Sequence, residues 1–285
     1  MEPISSTRAI LGEGPIWYRG KLYWVDIVGR RVYTYDPAAG TERYVELDQM
    51  VGTVVPRAKG GLAVAVERGF ATLDEDGTMR MIAEVEADDP RTRFNDGKCD
   101  PAGRFWAGTM AMTEKAPIGS LYALEADGTV RKMYSPVTTS NGICWSLDAK
   151  TMYYIDSPTR EVAAFDYDVA TGEIANKRTV IRFSPEDGSP DGMTIDADGN
   201  LWVALWDGWC VVCIEPRTGK LLRKIDVPVQ RVTACAFGGP DLKDFYITTA
   251  RVGVPDDRLA EQPLAGAVLV TDVGVRGVEA FAYAG

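Results

Sequence analysis

The chain of 285 residues contains no histidine. That excludes Ser-His-Asp and Cys-His nucleophile systems, H-E-x-x-H zinc proteases and every imidazole-ligated metal site. Any chemistry must come from carboxylates, amides, Lys, Arg, Tyr, Ser or Thr, or from a metal held through oxygen. Cysteine is sparse: five residues, at 99, 144, 210, 213 and 235, an odd count spread too widely for a disulfide framework. Buried free thiols are expected. Cys210 and Cys213 form a C-x-x-C, but side chains alternate along a strand, so an odd separation sends the two sulfurs to opposite faces and no thiolate zinc site is expected. No stretch reaches the ~18 apolar residues of a membrane span. The opening MEPISSTRAILGEGP has neither the basic nor the apolar region of a secretory signal, and a cytoplasmic location is expected. Positive charge is in deficit, 31 Lys and Arg against 41 Asp and Glu, for a formal net charge of −10. Such a surface repels phosphate backbones and anionic lipid. The expected partner is a small molecule or a metal cation, with no nucleic acid, no membrane, and a monomer or weak homodimer as the assembly.

What is present is a repeat. Short aromatic or β-branched runs recur as KLYWVD at 21, GLAVAV at 61, RFWAGT at 104, TMYYID at 151, NLWVAL at 200 and DFYITT at 244, spaced by 40, 43, 47, 49 and 44 residues. A Gly-, Asp-, Pro- or Lys-rich turn precedes each run, and a further strand and turn usually follow. Units of about 45 residues, each with about four short strands, are the signature of propeller blades. The expectation is an all-β, six-bladed β-propeller of four-stranded antiparallel blades around a central channel, one domain over residues 1–285. Ring closure then requires strands from both ends of the chain, since an open sheet edge invites aggregation. The STRAIL segment and the strands around AVLVTDVG and AFAYAG are the candidates.

Register locates a candidate site. The first strand of each blade lines the channel, and counting back nine to twelve residues from Leu22, Leu62, Phe105, Met152, Leu201 and Phe245 reaches Glu13, Thr53, Asn95, Asn141, Asp191 and Thr233. Four of the six equivalent positions carry a carboxylate or an amide. Such groups are costly to gather unless something satisfies them, and a hard divalent cation does. Oxygen ligands from Glu13, Asn141 and Asp191 suit Ca²⁺, Mg²⁺ or Mn²⁺, and Zn²⁺ or Fe²⁺ with less preference. The acidic runs DEDGT at 74, EADGT at 125 and DADGN at 196 do not continue as EF-hand loops and read as solvated hairpin turns. DYDVATGEI, Asp166 to Ile174, mimics half a calcium loop and reads as another turn. Asp96, next to Asn95, is expected to face the other side of its strand.

From LGEGPIW at 11 to YAG at 283–285, the chain resembles the SMP-30/gluconolactonase family, most distinctly in RFNDGKCDPAGRFWAGTM, SNGICWSLDAKTMYYIDS, PDGMTIDADGNLWVA and QPLAGAVLV. The resemblance implies a six-bladed propeller that hydrolyses sugar lactones such as D-glucono-1,5-lactone. It also implies one divalent metal on Glu13, Asn141 and Asp191, substrate contacts from Arg93 and Asn95, and Asp191 as general base. Some members were first described as calcium-binding. The lid-like MTEKAPIGS after Met110 is shorter than in the animal members, and Glu114 is not assigned to their lid acid.

Lactone opening needs a polarised carbonyl, an activated water and a stabilised leaving alkoxide, all within reach of a metal with open positions. Metal ligation weakens Asp191 as a base. Either its second oxygen faces the attacking water, or a water acidified by the metal supplies the nucleophile. Arg93 offers a planar fork to substrate oxygens, and Asn95 a donor and an acceptor to sugar hydroxyls. The competing role for Arg93 is a surface salt bridge to Asp88 or Asp89. Loops at 86–92, 112–119 and 184–190 are expected to wall the pocket. Two other functions fit the same residues: a phosphotriester hydrolase, and a calcium-binding propeller without enzymatic activity.

Overall fold

In the computed structural model, which describes residues 1–285, six sheets of four antiparallel strands form a six-bladed propeller. The inner strands, in order, are Gly12–Tyr18, Val51–Pro56, Thr92–Cys99, Ser140–Trp145, Ser189–Ile195 and Val232–Gly238. Alternation along each strand sends successive side chains to the two interfaces its blade makes. The result is six separate apolar clusters, one between each pair of neighbouring blades. Cys210 lies in the cluster between the fourth and fifth blades and Cys213 in that between the fifth and sixth, as an odd separation requires. The only α-helix is Asp256–Ala260, and no helix is long and apolar enough to cross a membrane.

Acidic residues brace the blades at equivalent places. At the second strand's end, Asp26 accepts the Ile10 and Leu11 amides at 2.9 and 3.0 Å, and Asp156 accepts those of Thr138 and Thr139 at 3.0 and 2.8 Å. Each ties the lead-in of an inner strand to its neighbour. In the turns between first and second strands, Asp100 and Asp196 each accept a tryptophan indole N–H, of Trp106 and Trp202, at 2.9 Å. DADGN is therefore no solvated turn: Asp196 is 1% exposed and anchors a fully buried Trp. DYDVATGEI is a turn, and the Arg104 guanidinium takes its Val169 and Ala170 carbonyls at 3.0 and 2.7 Å.

The ring closes in the sixth blade, where Glu2–Pro3 forms the outer strand beside Leu269–Asp272. AVLVTDVG thus supplies a closing strand, but STRAIL adds none to the sheet: Glu2 and Pro3 ahead of it pair, while within it Thr7 hydrogen-bonds Glu42, Ala9 donates to the Gly266 carbonyl at 2.7 Å and Leu11 makes a single bridge to Ala250. AFAYAG adds no blade strand either. The segment from Arg276 onward bonds the first-to-second-strand turns of the fifth and sixth blades through Ala197 and Leu242, then those of the second and third through Pro56, Ala58 and Gly103. These blade pairs stand on opposite sides of the ring, so the segment crosses the end of the hub where the inner strands finish. Its Tyr283 is 2% exposed, within the cluster between the second and third blades.

Candidate active site

Every inner strand carries a break in register: Glu13/Ile16, Val51/Thr53, Phe94/Gly97, Ser140/Ile143, Pro190/Met193 and Val232/Ala234. A bulge inserts an unpaired residue and re-aims side chains. Glu13, Asn95, Asn141 and Asp191 fall on or within these breaks. Together with Arg93 they line one cavity of about 300 Å³ at the end of the hub where the inner strands begin. Glycines let the bulged strands meet. A Cβ on Gly192 would lie 2.3 Å from that of Ala234, and one on Gly142 2.7 Å from the Asp191 carbonyl oxygen. The two other equivalent positions serve the frame: Thr53 donates to the Gly97 carbonyl at 3.0 Å and Thr233 to that of Gly12 at 2.6 Å.

A relay of hydrogen bonds orients the amides. Arg93 Nη1 donates to Asn95 Oδ1 at 2.8 Å, and Asn95 Nδ2 donates to the Ser140 carbonyl at 2.7 Å and to Asn141 Oδ1 at 3.1 Å. Asn141 Nδ2 donates to Ser157 Oγ at 2.8 Å, which donates to the Pro190 carbonyl at 2.7 Å. Asn141 Oδ1 thereby accepts from Asn95 and keeps one lone pair free in the cavity it lines with Glu13 and Asp191. Both N–H groups of Asn95 are committed, leaving it an acceptor only, where a donor and an acceptor had been expected. Arg93 is buried, bonded otherwise only to the Phe94 carbonyl, and its remaining nitrogens make no hydrogen bond to protein. The expected competitor, Asp89, pairs with Arg91. Burial lowers the pKa of Arg93, opposed by Glu114, Glu13 and Glu67.

The carboxylates are electrostatically strained. Burial, then Asp96, pushes Glu13 up to about 8, against the Gly14 amide and Arg93. Burial, then Glu13, Asp96 and Glu114, raises Asp191 well above the usual carboxylate range, and its Oδ1 is buried without any hydrogen-bond partner. A pair of desolvated carboxylates and an amide oxygen, one atom of them wholly unpartnered, fits a hard dication held through oxygen. No three His, Cys, Asp or Glu side chains cluster as a metal site anywhere, because the third oxygen here is an amide.

Two further expectations change. Asp96 does not point away from the hub: the bulge between Phe94 and Gly97 breaks the alternation. Asp96 lines the channel below the cavity with Lys98, where burial raises its pKa against the pull of Lys98. Of the proposed wall loops, 112–119 contributes Glu114 and 184–190 contributes Ser189, but 86–92 takes no part. Walls that the sequence did not suggest come from Leu11, Thr139, the Ser157–Thr159 3₁₀ turn, and Trp206 with Asp207. Glu114 sits in a left-handed turn (φ 58°), with its amide donating to Ala111 at 2.8 Å.

Comparison with known proteins agrees with this architecture. The family profile described as "SMP-30/Gluconolactonase/LRE-like region" matches residues 11–251. Regucalcin of Xenopus laevis is 41% identical over 294 residues, covering 100% of this chain and 98% of its own. A solved structure described as a calcium-binding protein, regucalcin, from Agrobacterium tumefaciens superposes with a TM-score of 0.94 at 28% identity, covering 99% of this chain and 96% of the other. A gluconolactonase of Xanthomonas campestris superposes with a TM-score of 0.73 at 25% identity, covering 86% and 85%. On the matched span, the identities and the shared fold, the chain belongs to the SMP-30/gluconolactonase/LRE-like family.

Proposed function

We propose that this protein is a lactonase that hydrolyses sugar lactones, with one divalent cation held by Glu13, Asn141 and Asp191. The observation that carries this reading is the unpartnered, buried Asp191 Oδ1 in a cavity where Arg93 keeps free donors. The similar X. campestris protein is described as a gluconolactonase. A bound dication supplies polarisation of the lactone carbonyl and acidification of water. Arg93 directs its free N–H groups at substrate oxygens, and the remaining lone pair of Asn95 accepts from a sugar hydroxyl. The Asp191 carboxylate oxygen that the cation would leave free takes the proton of the attacking water as the new C–O bond forms. That proton passes to the ring oxygen as the acyl C–O bond breaks, giving an open hydroxy acid.

The acid ionises at neutral pH, so a pH-stat reads turnover of D-glucono-1,5-lactone directly. Chelator abolishes it, and Asp191→Ala lowers kcat by roughly 10²–10⁴-fold. Chelator-insensitive turnover, or an Asp191→Ala variant as fast as the parent, overturns the mechanism. The calcium-binding description of the A. tumefaciens protein favours a second reading, a non-enzymatic calcium-binding propeller. Stoichiometric metal uptake without turnover of any lactone or of a phosphotriester run alongside decides for it.

A further inference from the structure

We propose that Trp206 is the platform on which the sugar ring stacks, making the pocket selective for hydroxylated ring lactones over plain aliphatic ones. This rests on the lactonase reading above. The hub side of the cavity is polar, with Arg93, Asn95 and Asp191, whereas Leu11, Met110 and Trp206 supply apolar wall. A pyranose-like ring divides in the same way. Its hydroxyls form a polar edge, and its C–H bonds, made electropositive by neighbouring oxygens, form a face that suits the negative π-surface of an indole.

Trp206 is the one tryptophan that walls the cavity, and it is held for the purpose. It ends the strand Leu201–Trp206, bridged to Ser189 on one side and Arg231 on the other. The Arg231 guanidinium lies 4.4 Å from an indole ring centroid. Arg231 is ion-paired with Asp207 at 3.5 Å and donates to the Gly253 carbonyl at 3.3 Å. Trp206 lines the cavity and Arg231 does not, so the part of the side chain that borders the cavity is not the part the guanidinium covers. Trp24, Trp106 and Trp202, in contrast, are wholly buried between blades. A side chain held by a cation and bordering the cavity is a pre-organised binding surface.

The test compares D-glucono-1,5-lactone with δ-valerolactone, the same ring without hydroxyls, in the parent, Trp206→Leu and Trp206→Phe. Thermal unfolding establishes that each variant is folded. Expected for Trp206→Leu is a KM for gluconolactone raised roughly five- to tenfold with kcat little altered, and a rise below about twofold for δ-valerolactone. Trp206→Phe, which keeps an aromatic face, recovers most of the loss. Independently of turnover, 1,5-anhydroglucitol quenches tryptophan fluorescence in the parent and not in folded Trp206→Phe, which lacks the reporting indole. Equal KM rises for both lactones, or quenching that survives in Trp206→Phe, overturns the platform. If the parent opens no lactone, the functional reading falls, and the anhydroglucitol measurement still decides the platform.

Discussion

At the scale of single residues, Ser157 carries more than its type suggests. It accepts from Asn141 Nδ2 and donates to the Pro190 carbonyl, so it fixes which end of the Asn141 amide is the nitrogen and which is left as an acceptor. Ser157→Ala frees that amide to turn, and metal affinity measured by calorimetry is expected to fall about 10–100-fold; an unaltered Kd removes Ser157 from the site. The buried carboxylates make a pH prediction whose sign is fixed. Glu13 is pushed up to about 8, so between its ordinary value of 4.5 and about 8 the native chain holds a proton that the unfolded chain has released. In chelator-treated protein this contribution is therefore full below about pH 4.5 and is lost as pH rises toward 8. Denaturation at pH 5, 6.5 and 8 is expected to show falling stability across that window, and Glu13→Gln to flatten the fall. A steeper dependence in Glu13→Gln contradicts this assignment. The four polar hub positions were legible because equivalent places in a repeat can be aligned by counting. Ser157, Trp206 and Asp207 were not, since they enter the cavity from turns and strand ends whose direction no residue count specifies.

Among the elements, the bulged inner strand does most to build the site. The 40- to 49-residue spacing revealed the blades, because strand, turn and aromatic signals recur in order. A bulge leaves a weaker trace: it is one extra residue, visible only against a partner strand, and alternation reasoning misplaces whatever follows it. Asp96 was misplaced for this reason. The glycine after several of these polar residues was a usable signal, since its value lies in close approach between strands. Gly192→Ala tests it. The added carbon meets the Ala234 side chain at 2.3 Å, and with backbone on both sides the overpacking costs about 1–3 kcal/mol. The expected result is a lowered Tm together with weakened metal binding, because Asp191 is the adjoining residue. A variant as stable as the parent shows that the hub relaxes more readily than close packing allows.

Across the whole molecule, closure and the crossing segment were the least legible features, since both depend on contacts between residues far apart in the chain. Two residues, Glu2 and Pro3, complete the sixth sheet, and the STRAIL stretch expected to do so adds no strand to it. The crossing segment anchors through Tyr283, whose hydroxyl donates to the Glu125 carbonyl at 2.9 Å while its ring fills the cluster between the second and third blades. Tyr283→Ala is expected to cost about 3–5 kcal/mol, as for other buried aromatic truncations, read by chemical denaturation. A loss under about 1 kcal/mol means the segment only rests against the hub. Lying across that end, it makes the toroid cup-like, and the cavity that holds the carboxylates lies at the opposite end, bordered by the exposed Glu114 and Asp207. Under the proposed reaction a neutral molecule arrives and an anion leaves past Glu114, and like-charge repulsion from that carboxylate then opposes re-entry of what has just been made.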